Sequence, residues 1–320
     1  MNGGYPARVT QAHPAERPFD VADAVRLLRG GADEALHAIS LIDSAAGRND
    51  AAALERRALL EAVGCGRPPS WDRALDTLLE AAERGSDLAQ DQLRILGRAD
   101  WECRDWRAVR SAVSIEELVR APEKLAISET PRLRVLKGFA TPAESSWLVE
   151  RARNRLRPAT VVTRSGSQTV EGGRTNRAIE FQIADMDLVI EIVRARISAA
   201  ARLPLPLFET SQVLHYAPGQ EFTAHHDYFD PDNSGHAEEL QRGQRIATFL
   251  IYLNDSYTLG ETAFPRAQLS FRGNVGDALF ITNVERSGRP DPMTLHAGTP
   301  PGSGEKWIFS QWIRDKPPTA

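Results

Sequence analysis

The feature that most constrains this chain is a change of periodicity near Ile127. From Val21 to about Arg110, apolar residues recur at spacings of three and four, as in "DRALDTLLEAAERGSDLAQDQLRIL", which predicts amphipathic helices. Beyond Ile127 the pattern shifts to short runs, "ATVVTRS", "SQVLHYA", "IATFLIYL", "DALFITN" and "KWIFSQWI", separated by Gly, Pro, Asn and Asp clusters. Such runs predict strands. Two helices interrupt them. One opens at Thr141 with Pro142 and Glu144, a capping-box signature, and the other covers "LVIEIVRARISAAARL". The order predicts an α+β chain: an antiparallel barrel or a jelly roll (double-stranded β-helix), braced by helices and preceded by an all-α segment.

The helical part repeats. "AISLIDSAAGRNDAAALERRALL" from Ala38 lies over "ALDTLLEAAERGSDLAQDQLRIL" from Ala74, matching Ala45 with Ala81, Ala53 with Ala89 and Leu60 with Leu96. A period in this range is what stacked helix pairs produce, with alanines where helices approach closely. The segment resembles Sel1-like repeats, relatives of the tetratricopeptide family; an ordinary amphipathic bundle is the competing reading. Either implies a packing or docking surface and no chemistry. The expected organisation is an N-terminal segment over 1–20, a helical-repeat domain over 21–127 and a catalytic domain over 128–320.

Composition excludes several classes. A net charge of -4 does not suit a chain that coats nucleic acid, and the basic "RARNRLR" falls at a predicted helix end, where cations complement the dipole. No stretch reaches the roughly 20 apolar residues of a membrane span. The N-terminus has no apolar core of the kind a secretory signal needs. The two cysteines, Cys65 and Cys103, make no disulfide framework and fit a reducing compartment, so a cytoplasmic location is expected.

Histidine is scarce, with seven in all, yet "HYAPGQEFTAHHDYF" holds three of them together with an aspartate. On a strand, His225 and Asp227 would point to one side while His226 faces the other. His215 belongs to the preceding strand and His236 to a polar loop. Two ligands do not hold a metal, and "DPMTLHAG" supplies His296 as a third. Two imidazoles and a carboxylate leave several coordination positions open, which suits non-haem Fe(II); a catalytic zinc is chemically open to the same ligands. Lys306 opens the last strand after a Pro/Gly turn. Pointing inward it would have to meet an anion; pointing outward it is a solvated strand-end lysine.

Taken in order, "YAPGQEFTAHHDYF", "RIATFLIYLND", "GETAFP", "GDALFITN", "DPMTLHAG" and "GEKWIFSQWI" resemble the prolyl 4-hydroxylase-like branch of the Fe(II)/2-oxoglutarate dioxygenases, with "RPATVV" and "GGRTNR" upstream. The resemblance implies Fe(II) on His225, Asp227 and His296. It implies the C5 carboxylate of 2-oxoglutarate on Lys306, with Tyr216 and Thr262 hydrogen-bonded to it and Trp312 lining the pocket. Arg245, Arg174 and Asn176 match positions near the substrate, and ascorbate is the implied reductant. By residue type alone, Tyr216 also reads as a packed strand aromatic, Thr262 as a turn residue and Arg245 as an edge-capping charge. The chain departs from the family pattern at Phe222, where tyrosine is frequent, at Asn176 in "RTN" and at Thr299 in "TP". The implied activity is hydroxylation, with dioxygen, of an unactivated C–H bond in a peptidyl proline or another protein residue. A free amino acid or small metabolite is the alternative substrate. A catalytically silent interaction module using the helical repeats is the alternative of another class.

Overall fold

The computed structural model describes residues 21–317, apart from 160, 163–167 and 170–172. The segment 1–20, most of "ATVVTRS", the threonine of "RPATVV" and the first glycine of "GGRTNR" lie outside the described residues. Helices come first: Val21–Leu27, Ala32–Gly47, Ala51–Val63, Trp71–Glu83, Asp87–Leu96, Trp106–Ala112 and Ile115–Val119. The 36-residue offset is visible in how two of them begin. Asp50 caps its helix by accepting from the Ala53 amide, and Ser86, 36 residues on, caps its own by accepting from Ala89. Ala45, Ala46 and Ala53 are buried, as are Ala81, Ala82 and Ala89 at the equivalent positions. Small side chains at these points let neighbouring helices close on each other.

The first strand, Leu125–Glu129, spans the boundary expected at 127/128. The change from helix to strand therefore comes a few residues before the point at which the sequence alternation becomes clear. An eight-stranded antiparallel sheet follows, in the order Leu125–Glu129, Arg132–Leu136, Ala278–Thr282, Arg245–Tyr252, Lys306–Arg314, Ser211–Tyr216, Arg177–Phe181 and Arg157–Pro158. A second sheet of four strands runs Leu269–Phe271, Thr262–Phe264, His296–Gly298 and Phe222–His225. The central strands of the large sheet are apolar on both faces because both are covered. Phe249, Ile251 and Phe309 face the helices Pro142–Arg153 and Leu188–Ala201, whereas Leu250, Tyr252 and Ile308 face Phe264 of the small sheet. The helix Pro142–Arg153 opens with the capping box: Glu144 accepts from the Thr141 amide and Thr141 from that of Glu144. No helix among the described residues is long and apolar enough to cross a membrane.

Helix Leu188–Ala201 joins the two halves. Ile190, Val193 and Ile197 pack with the sheet core, and Leu188, Val189 and Ile192 with the helical core around Leu54, Ala58 and Leu93. Buried polar groups cross the same junction. Gln92 accepts from the Leu188 amide at 2.9 Å and donates to Glu55 at 2.8 Å, while Arg56 donates to the Met186 carbonyl at 2.9 Å. Arg196 forms a two-bond pair with Glu144 and donates to the Leu118 and Phe139 carbonyls. Replacing Gln92 by leucine leaves a buried amide without an acceptor, which costs about 1–3 kcal/mol. Gln92→Leu is expected to lower the unfolding free energy by that amount, read as a lower urea midpoint at unchanged slope, while the chain still unfolds in one transition, because the junction couples both halves. A separate early transition of the helices in the wild-type protein would contradict that coupling.

Candidate active site

The site lies between the two sheets, and backbone register sets its centre. Strand His296–Gly298 pairs antiparallel with Phe222–His225 so that His296 lies opposite His225, and the two rings stand 4.4 Å apart between centroids. Asp227 joins them by a route other than strand alternation. The strand ends at His225, and Asp227 sits buried in the bend that follows. His225 Nε2 is 3.6 Å from Asp227 Oδ1, and His296 Nε2 is 3.5 Å from Asp227 Oδ2. The ligand atoms of all three residues lie within 4.8 Å of one another.

Both imidazoles are oriented alike. His225 Nδ1 lies 2.8 Å from the Thr223 carbonyl and His296 Nδ1 2.9 Å from that of Thr294. A carbonyl only accepts, so each Nδ1 carries the hydrogen and each Nε2 turns its lone pair toward Asp227. Phe222 stacks on His225 at 3.5 Å and fixes its ring. Burial pushes His296 down to about 4, against the pull of Asp227, so the ring is neutral at ordinary pH. Burial works against the Asp227 carboxylate too, but His296, His225 and the Thr248 hydroxyl outweigh it and hold Asp227 below the usual carboxylate range. Two imidazoles and one carboxylate, converging in one recess, fit a divalent cation that needs open coordination positions.

The same cavity contains a buried cation. Lys306 is opposite Tyr216 on the neighbouring strand and is 1% exposed, its ammonium 5.0 Å from the Tyr216 ring centre. Among the described residues, no carboxylate comes within ion-pair distance of it. Burial pushes Lys306 down to about 7, opposed by the more distant Glu261. Tyr216 and Thr262 line the cavity with it, and burial pushes the Tyr216 phenol up to about 12. Thr262 Oγ1 is 2.8 Å from the Tyr252 hydroxyl. Gly298 makes room, since a Cβ there would lie 3.1 Å from the Tyr216 hydroxyl. Trp312 shares the inward face of the last strand with Lys306, Ile308 and Ser310, and forms part of the wall.

The three residues expected near the substrate are placed differently from one another. Arg174 lines the cavity, 4.5 Å over the Phe222 ring, with its Nε donating to Asn176 at 3.2 Å. Asn176 is buried behind it and does not face the cavity. Arg245 is not among the cavity-lining residues: it makes two bonds to Glu209, at 2.6 and 2.8 Å, and stacks on Trp312 at 3.7 Å. Its charge is engaged by a carboxylate for which the sequence carries no motif. His226 is close to the Pro292 carbonyl, His215 packs on Trp307, and His236 sits in the loop beside Asp230. Sequence reasoning missed Thr248, which binds Asp227, and the stacking role of Phe222.

Residues 211–314, which carry both histidines, Asp227 and Lys306, match the family model described as the 2OG-Fe(II) oxygenase superfamily. Prolyl 4-hydroxylase 1 of Arabidopsis thaliana is 34% identical over 207 residues, covering 59% of this chain and 71% of the relative. Probable prolyl 4-hydroxylase 9 of the same plant is 28% identical over 243 residues, covering 70% of this chain and 83% of the relative. Among solved structures, the viral collagen prolyl hydroxylase of Paramecium Bursaria Chlorella virus-1, in its 2OG complex, shares 27% identity with a TM-score of 0.45; it covers 57% of this chain and 95% of its own. On the identity and extent of the match to prolyl 4-hydroxylase 1, the chain belongs to the prolyl 4-hydroxylase family of 2OG-Fe(II) oxygenases.

Proposed function

We propose that this oxygenase hydroxylates prolyl residues in a protein or peptide, with His225, Asp227 and His296 holding Fe(II) and Lys306 holding the distal carboxylate of 2-oxoglutarate. The observation that carries the reading is the buried Lys306 ammonium, which has no carboxylate at ion-pair distance among the described residues and shares one cavity with the three converging ligands. An unpaired buried charge is costly, and a cosubstrate carboxylate removes the cost. Tyr216 and Thr262 are placed to hydrogen-bond that carboxylate, and Trp312 closes the wall. Iron and 2-oxoglutarate, when bound, supply the oxidising chemistry that uses dioxygen to hydroxylate a C–H bond, with ascorbate as reductant. The chain's residues orient the cosubstrate, hold the imidazoles in one tautomer and keep water out through Leu214, Leu250 and Ile308. Arg174, set by Asn176 and Phe222, lies on the cavity wall where a peptide would approach. The relatives' names support proline as the target.

The helices up to Val119 read as a separate domain of Sel1- or tetratricopeptide-like repeats, a surface for recruiting the polypeptide. The cap-to-cap equivalence of Asp50 and Ser86 supports this assignment. The free cysteines, Cys65 and Cys103, suit a reducing compartment.

Three outcomes test the reading. Purified protein with Fe(II), 2-oxoglutarate and ascorbate is expected to release succinate, at a rate stimulated by proline-containing peptides and not by free proline. Asp227→Ala is expected to lose ordered metal binding and turnover together. Stimulation by free amino acids alone would move the substrate class to small molecules.

Lys306→Met is expected to weaken 2-oxoglutarate binding by about 10- to 100-fold with metal affinity retained, since a charge-assisted contact contributes about 1.5–3 kcal/mol. The sign of its effect on stability is the opposite. The folded-state value of Lys306 lies below the ordinary 10.5, so burying its charge destabilises the ligand-free protein fully below about pH 7 and progressively less as pH rises toward 10.5. Lys306→Met should therefore raise the ligand-free Tm more at pH 6 than at pH 9. A loss of stability at pH 6 would contradict an unpaired buried charge.

The same shift makes cosubstrate binding pH-dependent. Above pH 7 the amine must take up a proton to bind a carboxylate, so affinity is expected to fall by up to about tenfold per pH unit, with proton uptake detectable by calorimetry in buffers of different ionisation enthalpy. A flat affinity between pH 6 and 9 would remove Lys306 from the clamp.

A further inference from the structure

Asp227 has a second set of partners, on the opposite sheet from the two histidines. Thr248, at the middle of strand Arg245–Tyr252, is 1% exposed, and its hydroxyl lies 2.6 Å from Asp227 Oδ2. Asn283 follows strand Ala278–Thr282, is 0% exposed, and its Nδ2 lies 2.9 Å from the Thr248 oxygen. The direction of this relay is fixed by donor and acceptor arithmetic. A carboxylate only accepts, so the single Thr248 proton goes to Asp227. The Thr248 lone pairs then face Asn283, which must present its NH2 group. The reverse orientation would set oxygen against oxygen in a dry core. Asn283 is itself held by its backbone, donating to the Ile246 carbonyl and accepting from the Asp291 amide. Its side-chain Oδ1 is buried without a hydrogen bond, so the residue keeps this pose at the expense of its own satisfaction.

A reason for the relay lies in the backbone. Asp227 belongs to a bend and not to the strand that carries His225, so the His225–His296 register does not orient its carboxylate. We propose that Asn283 and Thr248 are positioning residues that fix the rotation of the Asp227 carboxylate. Thr248 engages one oxygen and leaves the other to serve as a single-oxygen ligand, keeping coordination positions open. The inference rests on the reading of His225, Asp227 and His296 as the metal site.

The test uses the full-length protein and Co(II), a redox-inert probe with visible absorption, titrated into the wild type, Asp227→Ala, Thr248→Val, Thr248→Ser and the double variant Thr248→Val/Asn283→Leu. Thr248→Val is expected to weaken Co(II) binding about 10- to 100-fold, the usual effect of removing an outer partner of a ligand, and to shift the absorption bands. Thr248→Ser, which keeps the hydroxyl, should stay within about threefold of the wild type. The double variant replaces both relay groups by apolar ones, so it should keep its Tm and still bind weakly. Weak binding at an unchanged Tm distinguishes positioning from a purely structural role. Wild-type affinity in both valine-containing variants overturns the relay. Equal binding by the wild type and Asp227→Ala overturns the metal site itself.

Discussion

The pairing of His296 with His225 in the small sheet is the constraint from which the rest of the site follows. Side chains on a strand alternate, so a slip of one residue in this pairing would send one imidazole to the opposite face. The pairing is short and irregular, with a register shift between His296 and Gly298, so it needs outside support. Phe222 stacks on His225 and Phe264 lies near His296, each packing an aromatic ring beside an imidazole. The Thr223 and Thr294 carbonyls complete the restraint by selecting the tautomer. Local backbone groups thus perform an orienting task that in many metal sites falls to a carboxylate.

Much of the interior charge is matched, which makes the exception informative. Arg196 meets Glu144, Arg56 meets Glu55, and Arg245 and Arg314 share Glu209. Arg196–Glu144 ties two helices together, and Arg245 and Arg314 tie their strands to the loop before Ser211–Tyr216. They are worth little as net stability, yet removing one member is expensive, so they fix which surfaces meet. Lys306 departs from that rule, with Tyr216 as its aromatic neighbour and Glu261 at longer range. Among the described residues, Lys306 is buried with no carboxylate at ion-pair distance and faces a cavity, a place prepared for an anion.

The sequence was legible where local physics is strong and silent where it depends on distant partners. The Thr141 capping box rests on side-chain-to-backbone bonds within a few residues, and it appears as read. His225, Asp227 and His296 converge, but the strand argument for Asp227 named the wrong geometry: alternation requires a strand, and the chain bends after His225. Arg245 could not be placed from the sequence because its partner, Glu209, lies 36 positions away in an unremarkable loop and captures it across strand Lys306–Arg314. Thr248 was hidden for another reason. A threonine within "IATFLIYL" is an ordinary strand former, and only the approach of Asp227 from the bend after Phe222–His225 gives it a task.

The distribution of these groups between the sheets explains why the site needs both. The small sheet carries His225, His296 and Thr262, and the large one carries Lys306, Tyr216, Trp312 and Thr248. If the sheets moved apart, the distance between the three converging ligands and Lys306 would change, and a cosubstrate of fixed length would no longer span it. Of the three converging residues, Asp227 bonds across the gap, through Thr248 to a strand paired on one side with Ala278–Thr282 and on the other with Lys306–Arg314. The carboxylate is therefore both a ligand candidate and a staple between the sheets. A binding site that spans two layers has to set the distance between its two ends with something more rigid than a loop, and the Asp227–Thr248 bond anchors the bend to the strand next to the one that begins with Lys306.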